Sequence, residues 1–93
     1  MSLGTKIKDP DDVRLYSFDW SAELDDDTIS SSSWELDSPL VSVTEAIGTD
    51  ERSTTVAVSG GVHGENYEIR NTIIRTSSGE TISKSGIIAV RNL

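Results

Sequence analysis

The chain lacks cysteine altogether, so no disulfide bond can stabilise it and no thiolate is available for catalysis or metal binding. It contains a single histidine, two prolines, two tryptophans, two tyrosines and one phenylalanine, which leaves few candidates for an imidazole site or an aromatic sugar platform. No apolar run is long enough for a signal peptide or a membrane span. These absences predict a protein that is made in a reducing cytoplasm and does not enter a membrane.

Positive charge is also scarce, with 8 Lys and Arg residues against 16 Asp and Glu residues and a net charge of −8. Phosphate binding requires clustered Lys and Arg, so this balance argues against nucleic acid as a partner. The charge is unevenly divided, because residues 1–51 carry −10 and residues 52–93 carry +2. The acidic excess either keeps a small domain soluble or forms one side of a head-to-tail or heterologous contact with a basic face.

The 93 residues suffice for one domain with a thin hydrophobic core. Residues 1–12 mix charges of both signs with a proline and offer little to bury. We therefore expect residues 1–12 to form an extended N-terminal arm, mobile unless a partner holds it. Residues 13–93 are expected to form the folded domain.

Short stretches of alternating apolar and polar residues follow the arm. The clearest begins at Tyr16, after which every second residue is apolar as far as Leu24. This period of two predicts a strand with one buried face, which Asp25 to Asp27 then ends. Further strands are predicted over residues 28–36, 40–43 with an extension to 46–47, 54–59, 66–76 and 82–91. No segment has the 3.6-residue apolar period of a helix.

Short strands separated by turn residues predict an all-β fold, an immunoglobulin-like β-sandwich of about seven antiparallel strands. Tyr67 follows a glycine-containing turn at the start of the penultimate strand, as in a tyrosine corner. Trp34 is expected to fill the centre of the sandwich, and a bulge after Ile29 would let both residues face the core. The predicted core residues are Trp20, Leu24, Trp34, Val56, Val58, Ile69, Ile73 and Ile88.

Two polar features fall on faces predicted to be buried. Asn71 shares the inward face of its strand with Ile69 and Ile73, so it needs a hydrogen-bond partner, either in the core or in a binding partner. The core partner is the favoured interpretation. Residues Lys84 to Gly86 are more polar than a core-facing strand should be, which leaves the register of the last strand open.

Two features could suggest an enzyme. His63 could join Ser59 and an acid in a Ser–His–Asp arrangement, but no G-x-S-x-G elbow is present, and its glycine-rich loop favours a solvated residue. The Gly60-Gly61 pair lacks the Lys and helix of a phosphate-binding loop and is interpreted as a turn. We therefore predict no enzyme activity, no catalytic residues and no cofactor.

Two acidic clusters could bind calcium through carboxylate oxygens if their loops met at one end of the sandwich. The first consists of Asp9, Asp11 and Asp12, and the second of Asp25 to Asp27. Their spacing matches no EF-hand loop and basic residues adjoin the first cluster, so solvated acidic turns are favoured and no metal site is predicted. The aromatic residues fall on core faces, which disfavours carbohydrate binding.

A set of short motifs in a characteristic order extends over about residues 8–91. The motifs are Lys8-Asp9-Pro10 with Val13, Tyr16, Asp19-Trp20-Ser21, Leu24, Asp27-Thr28-Ile29, Ser33-Trp34, Thr55 to Val58, Ser59-Gly60-Gly61, Gly64-Glu65, Tyr67, Asn71, Ile73, Thr76-Ser77 and Gly79. In these residues the chain resembles a group of small proteins encoded in the head–tail gene blocks of tailed bacteriophages and prophages. Such proteins are often described as tail or fibre adaptors.

The resemblance implies an immunoglobulin-like sandwich and a structural role in the virion, with no catalytic residues to transfer. The leading hypothesis is a non-enzymatic phage or prophage protein, made in the host bacterial cytoplasm, that mediates protein–protein contacts at the head–tail or tail–fibre junction. Its partners would be other virion or tail proteins, and a homo-oligomer is a further option, with docking through sheet edges or the arm. The alternative is an accessory module that binds carbohydrate or a surface ligand.

Overall fold

The computed structural model describes residues 2–91 of the chain, with the side chains of residues 6–91. Met1 and residues 92–93, the outer ends of the predicted arm and domain, lie outside the described residues. The elements in chain order are β1 (Ser2–Lys8), β2 (Arg14–Asp19), α1 (Ser21–Leu24), β3 (Ile29–Leu36), β4 (Val41–Ile47), β5 (Ser53–Ser59), β6 (Asn66–Arg75) and β7 (Thr81–Val90).

The strands form two sheets, one with the order β1-β7-β6-β3 and the other with the order β2-β5-β4. Strands β2, β5 and β4 thus lie opposite β3, β6 and β7. This is the distribution of strands B, E and D against C, F and G in an immunoglobulin domain. The prediction of an all-β sandwich is confirmed, and the six strands located from the sequence correspond to β2 through β7.

The first strand, β1, comes from the predicted arm. Ser2–Lys8 pairs with β7, and the pair is parallel, unlike the antiparallel strands that were expected throughout. Lys8 is fully buried, and its Nζ donates hydrogen bonds to the carbonyl oxygens of Asp9 (2.8 Å) and Gly60 (2.7 Å). Burial lowers the pKa of Lys8, while nearby aspartates act in the opposite direction. The expectation that this segment buries little is wrong at Lys8, because a distant loop satisfies its amine. The division of the chain at residue 12 stays a prediction.

The strand predicted to reach Leu24 ends at Asp19 instead. Ser21–Leu24 forms a single helical turn, in which the Leu24 N–H donates to the Trp20 carbonyl at 3.0 Å. The Asp19 carboxylate accepts hydrogen bonds from the Ser21 N–H (2.9 Å) and hydroxyl (2.6 Å), which stabilises the change of direction. Trp20 and Leu24 are four residues apart, so one helical turn buries both of them, while the residue midway between them is exposed. The prediction of strand over residues 20–24 is therefore wrong.

The hydrophobic core lies between the sheets, and all eight predicted core residues are buried. Trp34 on β3 packs against Phe18 on β2, with ring centroids 5.0 Å apart and ring planes inclined at 54°. The β3–β6 register shifts between Ile29 and Ser31, which is the predicted bulge. Because of this shift, Ile29 and Trp34 both face the core. The cluster also contains Tyr16, Phe18, Ile29, Leu40, Tyr67 and Val90.

Asn71 connects the two sheets through a complete set of hydrogen bonds. It is fully buried on β6, and its Oδ1 accepts from the Trp20 indole N–H (2.9 Å) and the Thr54 hydroxyl (2.6 Å). Its Nδ2 donates to the Ser32 hydroxyl (2.9 Å) and the Ser33 carbonyl (2.8 Å). Both donors and both acceptor positions of the amide are satisfied. The preferred prediction, a hydrogen-bonded Asn71 within the core, is confirmed.

Lys84 settles the register of the last strand. It pairs with Asn71 across β6 and β7 and faces the core, with 4% of its surface exposed. Its Nζ lies 2.8 Å from Glu23 Oε1, donates to the Asp19 carbonyl at 2.8 Å, and sits 4.6 Å from the centroid of the Trp20 ring. A lysine is compatible with the inner face here because α1 and the end of β2 provide a carboxylate, a carbonyl and an aromatic face.

The predicted tyrosine corner is present at the start of β6. The ring of Tyr67 is buried, and its hydroxyl accepts a hydrogen bond from the Val62 backbone N–H at 3.1 Å. This bond ties the loop that precedes β6 to the core, as in other immunoglobulin-like sandwiches.

Replacing Tyr67 by Phe should lower the free energy of unfolding by about 1–1.5 kcal/mol, because the Val62 N–H loses its acceptor while the ring stays in place. Urea denaturation followed by tryptophan fluorescence measures this change. Tyr16→Phe is the matched control, since the buried Tyr16 hydroxyl has no hydrogen-bond partner among the described residues. We expect that control to lose no stability, because its hydroxyl makes no hydrogen bond that the substitution could remove. Equal losses in the two variants would contradict a stabilising corner.

Candidate functional site

The loop between β5 and β6 holds the residues considered for catalysis. His63 lies in an exposed turn, and Ser59 is the last residue of β5. The chain leaves β5 through Gly60 and Gly61, whose φ angles of 87° and 101° are in the left-handed region that favours glycine. A Cβ on Gly61 would lie 2.7 Å from Cγ2 of Val90, so a side chain at this position would also collide with the core. The interpretation of these glycines as turn residues is confirmed.

The first acidic cluster forms a tight turn after β1. The Asp9 carboxylate accepts a hydrogen bond from the Asp11 N–H at 2.9 Å, and the Asp9 carbonyl accepts one from the Asp12 N–H at 3.1 Å. This is the local pattern in which aspartate replaces a backbone partner in a turn. Within residues 2–91, no group of three or more His, Asp or Glu side chains is arranged to hold a metal ion.

The second acidic cluster contains a residue that links two parts of the fold. Asp27 accepts hydrogen bonds from the Ser77 hydroxyl (2.7 Å), the Thr28 N–H (2.8 Å) and Arg75 Nε (3.1 Å). It thereby joins the loop before β3 to the hairpin between β6 and β7. These bonds, above all the one from the Ser77 hydroxyl, favour the charged form and hold the pKa of Asp27 at about 2. Asp27 therefore has a structural role and is more than a solvated acid.

Asp27→Asn should remove an acid-sensitive contribution to stability. The pKa of Asp27 is about 2 in the folded chain and its ordinary value is 3.8, so the carboxylate stabilises the fold above about pH 4. That contribution is lost as the pH falls from about 4 towards 2. The melting temperature of the wild type should thus fall more steeply than that of the variant over this range. Calorimetry at a series of pH values tests this, with Asp26→Asn in the same loop as control. Parallel curves for wild type and D27N would show that Asp27 does not act this way.

A groove runs along one flank of the sandwich, where the two sheets end with β1 and β2. We call it the open groove, and its volume is about 570 Å³. Its walls come from both sheets, so it is a gap between two sheet edges. The six lining residues that matter most for its chemistry are Lys6, Ile7, Arg14, Leu15, Tyr16 and Ile69.

The rim of the open groove is apolar and exposed. Leu15 on β2 is 72% exposed and Ile7 on β1 is 57% exposed, while Val13, just before β2, is 59% exposed. Exposed apolar residues that lie together are characteristic of interaction sites. The cations Lys6 and Arg14 also line the groove, and no Asp or Glu is among its described lining residues. The groove is therefore apolar and positively charged on a chain whose net charge is −8.

One of the residues that line the open groove, Tyr16, carries an unsatisfied polar group. Tyr16 faces inward from β2, and its buried hydroxyl has no hydrogen-bond partner in the described part of the chain. Burial raises the pKa of Tyr16 above its usual value, and the nearby Arg14 acts in the opposite direction. The hydroxyl thus remains a neutral donor at physiological pH.

The opposite flank ends with β4, the outer strand of the three-stranded sheet. Val41 and Val43 on this strand are exposed, and the β4–β5 register shifts between Ser42 and Thr44. A shallow cavity of about 290 Å³ adjoins Glu45. This flank offers a second surface with an irregular backbone, and no Lys or Arg is among the described residues that line its cavity.

Sequence reasoning expected docking at sheet edges or at the arm, and it did not identify the open groove. The available signal was at Val13 and Leu15, which are apolar but out of phase with the buried residues of β2. Nothing local indicates that β1 closes the other side of the groove, because β1 pairs with a strand from the opposite end of the chain.

Comparison with known protein families gives a match over most of the chain. The family model of Gp77, described as podophage GP4 fiber-tail adaptor protein gp77, matches residues 8–89. The match extends from the last residue of β1 to the penultimate residue of β7, and it therefore includes strands of both sheets. No curated protein and no solved structure matches the chain. In the part of the chain that the structure describes, no helix has the length and apolar character needed to cross a membrane.

Proposed function

Because the chain belongs to the podophage GP4 fiber-tail adaptor protein gp77 family, we propose that it joins fibre to tail in a phage virion as a non-enzymatic structural protein. The family match over residues 8–89 is the observation that carries this proposal. The description of the family favours the tail–fibre junction over the head–tail junction.

The geometry supports an adaptor because the sandwich has two separate open flanks. The open groove combines apolar residues with the cations Lys6 and Arg14. The β4 flank presents Val41 and Val43 together with Glu45. An adaptor must hold two proteins at once, and surfaces of different chemistry on opposite flanks allow two partners to bind without competing. Binding between copies of the chain remains a prediction.

The alternative, an accessory module for carbohydrate or a surface ligand, requires an exposed aromatic ring or a metal-bound loop. All five aromatic side chains are buried, with at most 8% of their surface exposed. No specific observation favours the alternative.

The test uses a phage from which the gene for this chain is deleted. Particles are made without the chain and with the chain supplied from a plasmid. Particles made without the chain should have heads and tails but no attached fibres, by negative-stain electron microscopy and by mass spectrometry of purified virions. The wild-type chain should restore the fibres. His63→Ala should restore them equally, because the only imidazole of the chain has no catalytic part in this function.

Particles that keep their fibres without the chain would overturn the proposal. Loss of fibre attachment in a folded His63→Ala variant would instead indicate chemistry at this residue. Binding of the purified chain to a glycan array would support the alternative module.

A further inference from the structure

We propose that the open groove binds an extended acidic segment of another virion protein, which adds as a strand to the free edge of β2. The inference rests on the function proposed above, since it assigns one of the two contacts of the adaptor to a surface and to a partner chemistry. The observations that carry it are the backbone of β2, the exposed apolar rim, the charge of the groove and the Tyr16 hydroxyl.

The backbone of β2 offers a regular and unpaired edge. Within the described residues, β2 pairs only with β5, and the register runs from Arg14 to Asp19 without a bulge. The other three outer strands, β1, β3 and β4, all contain register shifts. Bulges protect an edge against strand addition, so β2 is the edge best suited to it. An added strand would form backbone hydrogen bonds with β2 and place alternate side chains into the groove.

The apolar rim supplies a driving force for docking. Leu15, Ile7 and Val13 are all more than half exposed, although only 34% of the chain is hydrophobic. An extended segment lying in the groove would cover Leu15 on the β2 side of the gap and Ile7 on the β1 side. Removing such side chains from water favours association.

The charge of the groove selects an acidic segment. Lys6 and Arg14 line it, and its described lining contains no carboxylate. The closest carboxylate contact of Arg14 is Asp12 at 4.0 Å, between two exposed side chains. Exposed ion pairs of this kind contribute little, so Arg14 can exchange Asp12 for a carboxylate of the partner.

A second copy of the chain is a poor occupant of the same groove. The groove of each copy holds the cations Lys6 and Arg14 without a carboxylate among its described lining residues, so a contact of groove with groove would supply no acidic partner to either copy. Each copy also carries a net charge of −8, so the copies repel each other. A different protein that carries an acidic segment but no large net negative charge can supply carboxylates to the groove with less overall repulsion.

The Tyr16 hydroxyl adds a specific polar contact. It belongs to a side chain that is more than nine-tenths buried, and it lacks an acceptor among the described residues. A buried donor without an acceptor is costly, so a rotation of the Tyr16 side chain towards the groove would let the hydroxyl donate to a carbonyl or carboxylate of an incoming strand. Tyr16→Phe should therefore weaken docking while leaving the free chain at least as stable as the wild type.

The first experiment uses the gene-deleted phage and compares matched charge reversals. Arg14→Glu changes the groove, while Arg70→Glu changes an exposed arginine on the outer face of β6 by the same charge. Purified variants should unfold at the wild-type temperature. The R14E chain should enter virions or hold fibres about tenfold less efficiently than wild type, whereas the R70E chain should match wild type.

The second experiment identifies the occupant by cross-linking. The chain has no cysteine, so Leu15→Cys creates a unique site for a benzophenone label, and Val62→Cys on an exposed loop is the control. After assembly into virions and irradiation, the label at position 15 should attach to a peptide of another virion protein in which Asp and Glu outnumber Lys and Arg. The label at position 62 should not attach to that peptide.

The outcomes separate this inference from the proposed function. If the wild-type chain fails to restore fibres, the proposed function is wrong. If the wild-type chain restores fibres and R14E does so equally well, the groove is not the docking site. A position-15 adduct with a second copy of this chain, or with a basic peptide, would overturn the stated partner.

Discussion

Asn71→Ala is expected to lower the free energy of unfolding by about 3–5 kcal/mol, one of the largest effects available from a single substitution in this chain. The change removes both acceptor bonds, from the Trp20 indole and the Thr54 hydroxyl, and both donor bonds, to Ser32 and Ser33. The buried Trp20 indole and Thr54 hydroxyl would lose their shared acceptor, and the Ser32 hydroxyl and Ser33 carbonyl on β3 would lose their donor. A small domain is typically stable by only about 5–15 kcal/mol, so much of its stability would be lost.

Urea denaturation measures this loss, and tryptophan fluorescence reports it because Trp20 is buried beside Asn71 and becomes exposed to solvent on unfolding. Asn66→Ala is the matched control, being the same substitution at an exposed position of the same strand. It should change stability by less than about 0.5 kcal/mol. If N71A were as stable as N66A, the amide network would not be holding the sheets together.

Lys84→Met is expected to lower the free energy of unfolding by about 2–4 kcal/mol. Methionine fills a similar volume but cannot bond the Asp19 carbonyl or the Glu23 carboxylate, which the Lys84 amine contacts at 2.8 Å each. It also loses the interaction of the ammonium group with the Trp20 ring. The loss is largely the cost of leaving Glu23 without a counter-charge beside the core, where its Oε2 already has no partner within the described residues.

A double-mutant cycle with Glu23→Gln tests this explanation. If the two charges stabilise each other, K84M should cost less in the Glu23→Gln background, with a coupling free energy of about 1 kcal/mol or more. Additive losses would mean that Lys84 acts through packing and its bond to the Asp19 carbonyl alone. Thermal and urea unfolding of the four proteins gives the cycle.

Most strand positions could be predicted because they depend on local alternation. On β6, Tyr67, Ile69 and Ile73 occupy alternate positions with Asn71 among them, and a strand is the conformation that brings all four to one face. The tyrosine corner was equally accessible, since its hydrogen bond joins residues only five positions apart.

The segment from Trp20 to Leu24 shows where alternation is ambiguous. Residues at i and i+4 share a face both in a strand and in a helical turn, so burial of these two residues does not distinguish the conformations. The hydrogen bonds of the Asp19 carboxylate with Ser21 turn the chain, and this contact was not anticipated from the periodicity.

The sequence alone determined the fold class, the central strands and the hydrophobic core, because period-two patterning and turn residues act over a few positions. The tertiary structure decided where Lys8 and Lys84 lie, since their amines are satisfied by Gly60 and by the segment at Asp19 to Glu23, far away along the chain. The tertiary structure also creates the open groove. That surface exists only because β1, from the start of the chain, pairs with β7 from its end and thereby faces β2 across the gap between the sheets. Such long-range pairings depend on the geometry of the whole sandwich, which no local pattern encodes.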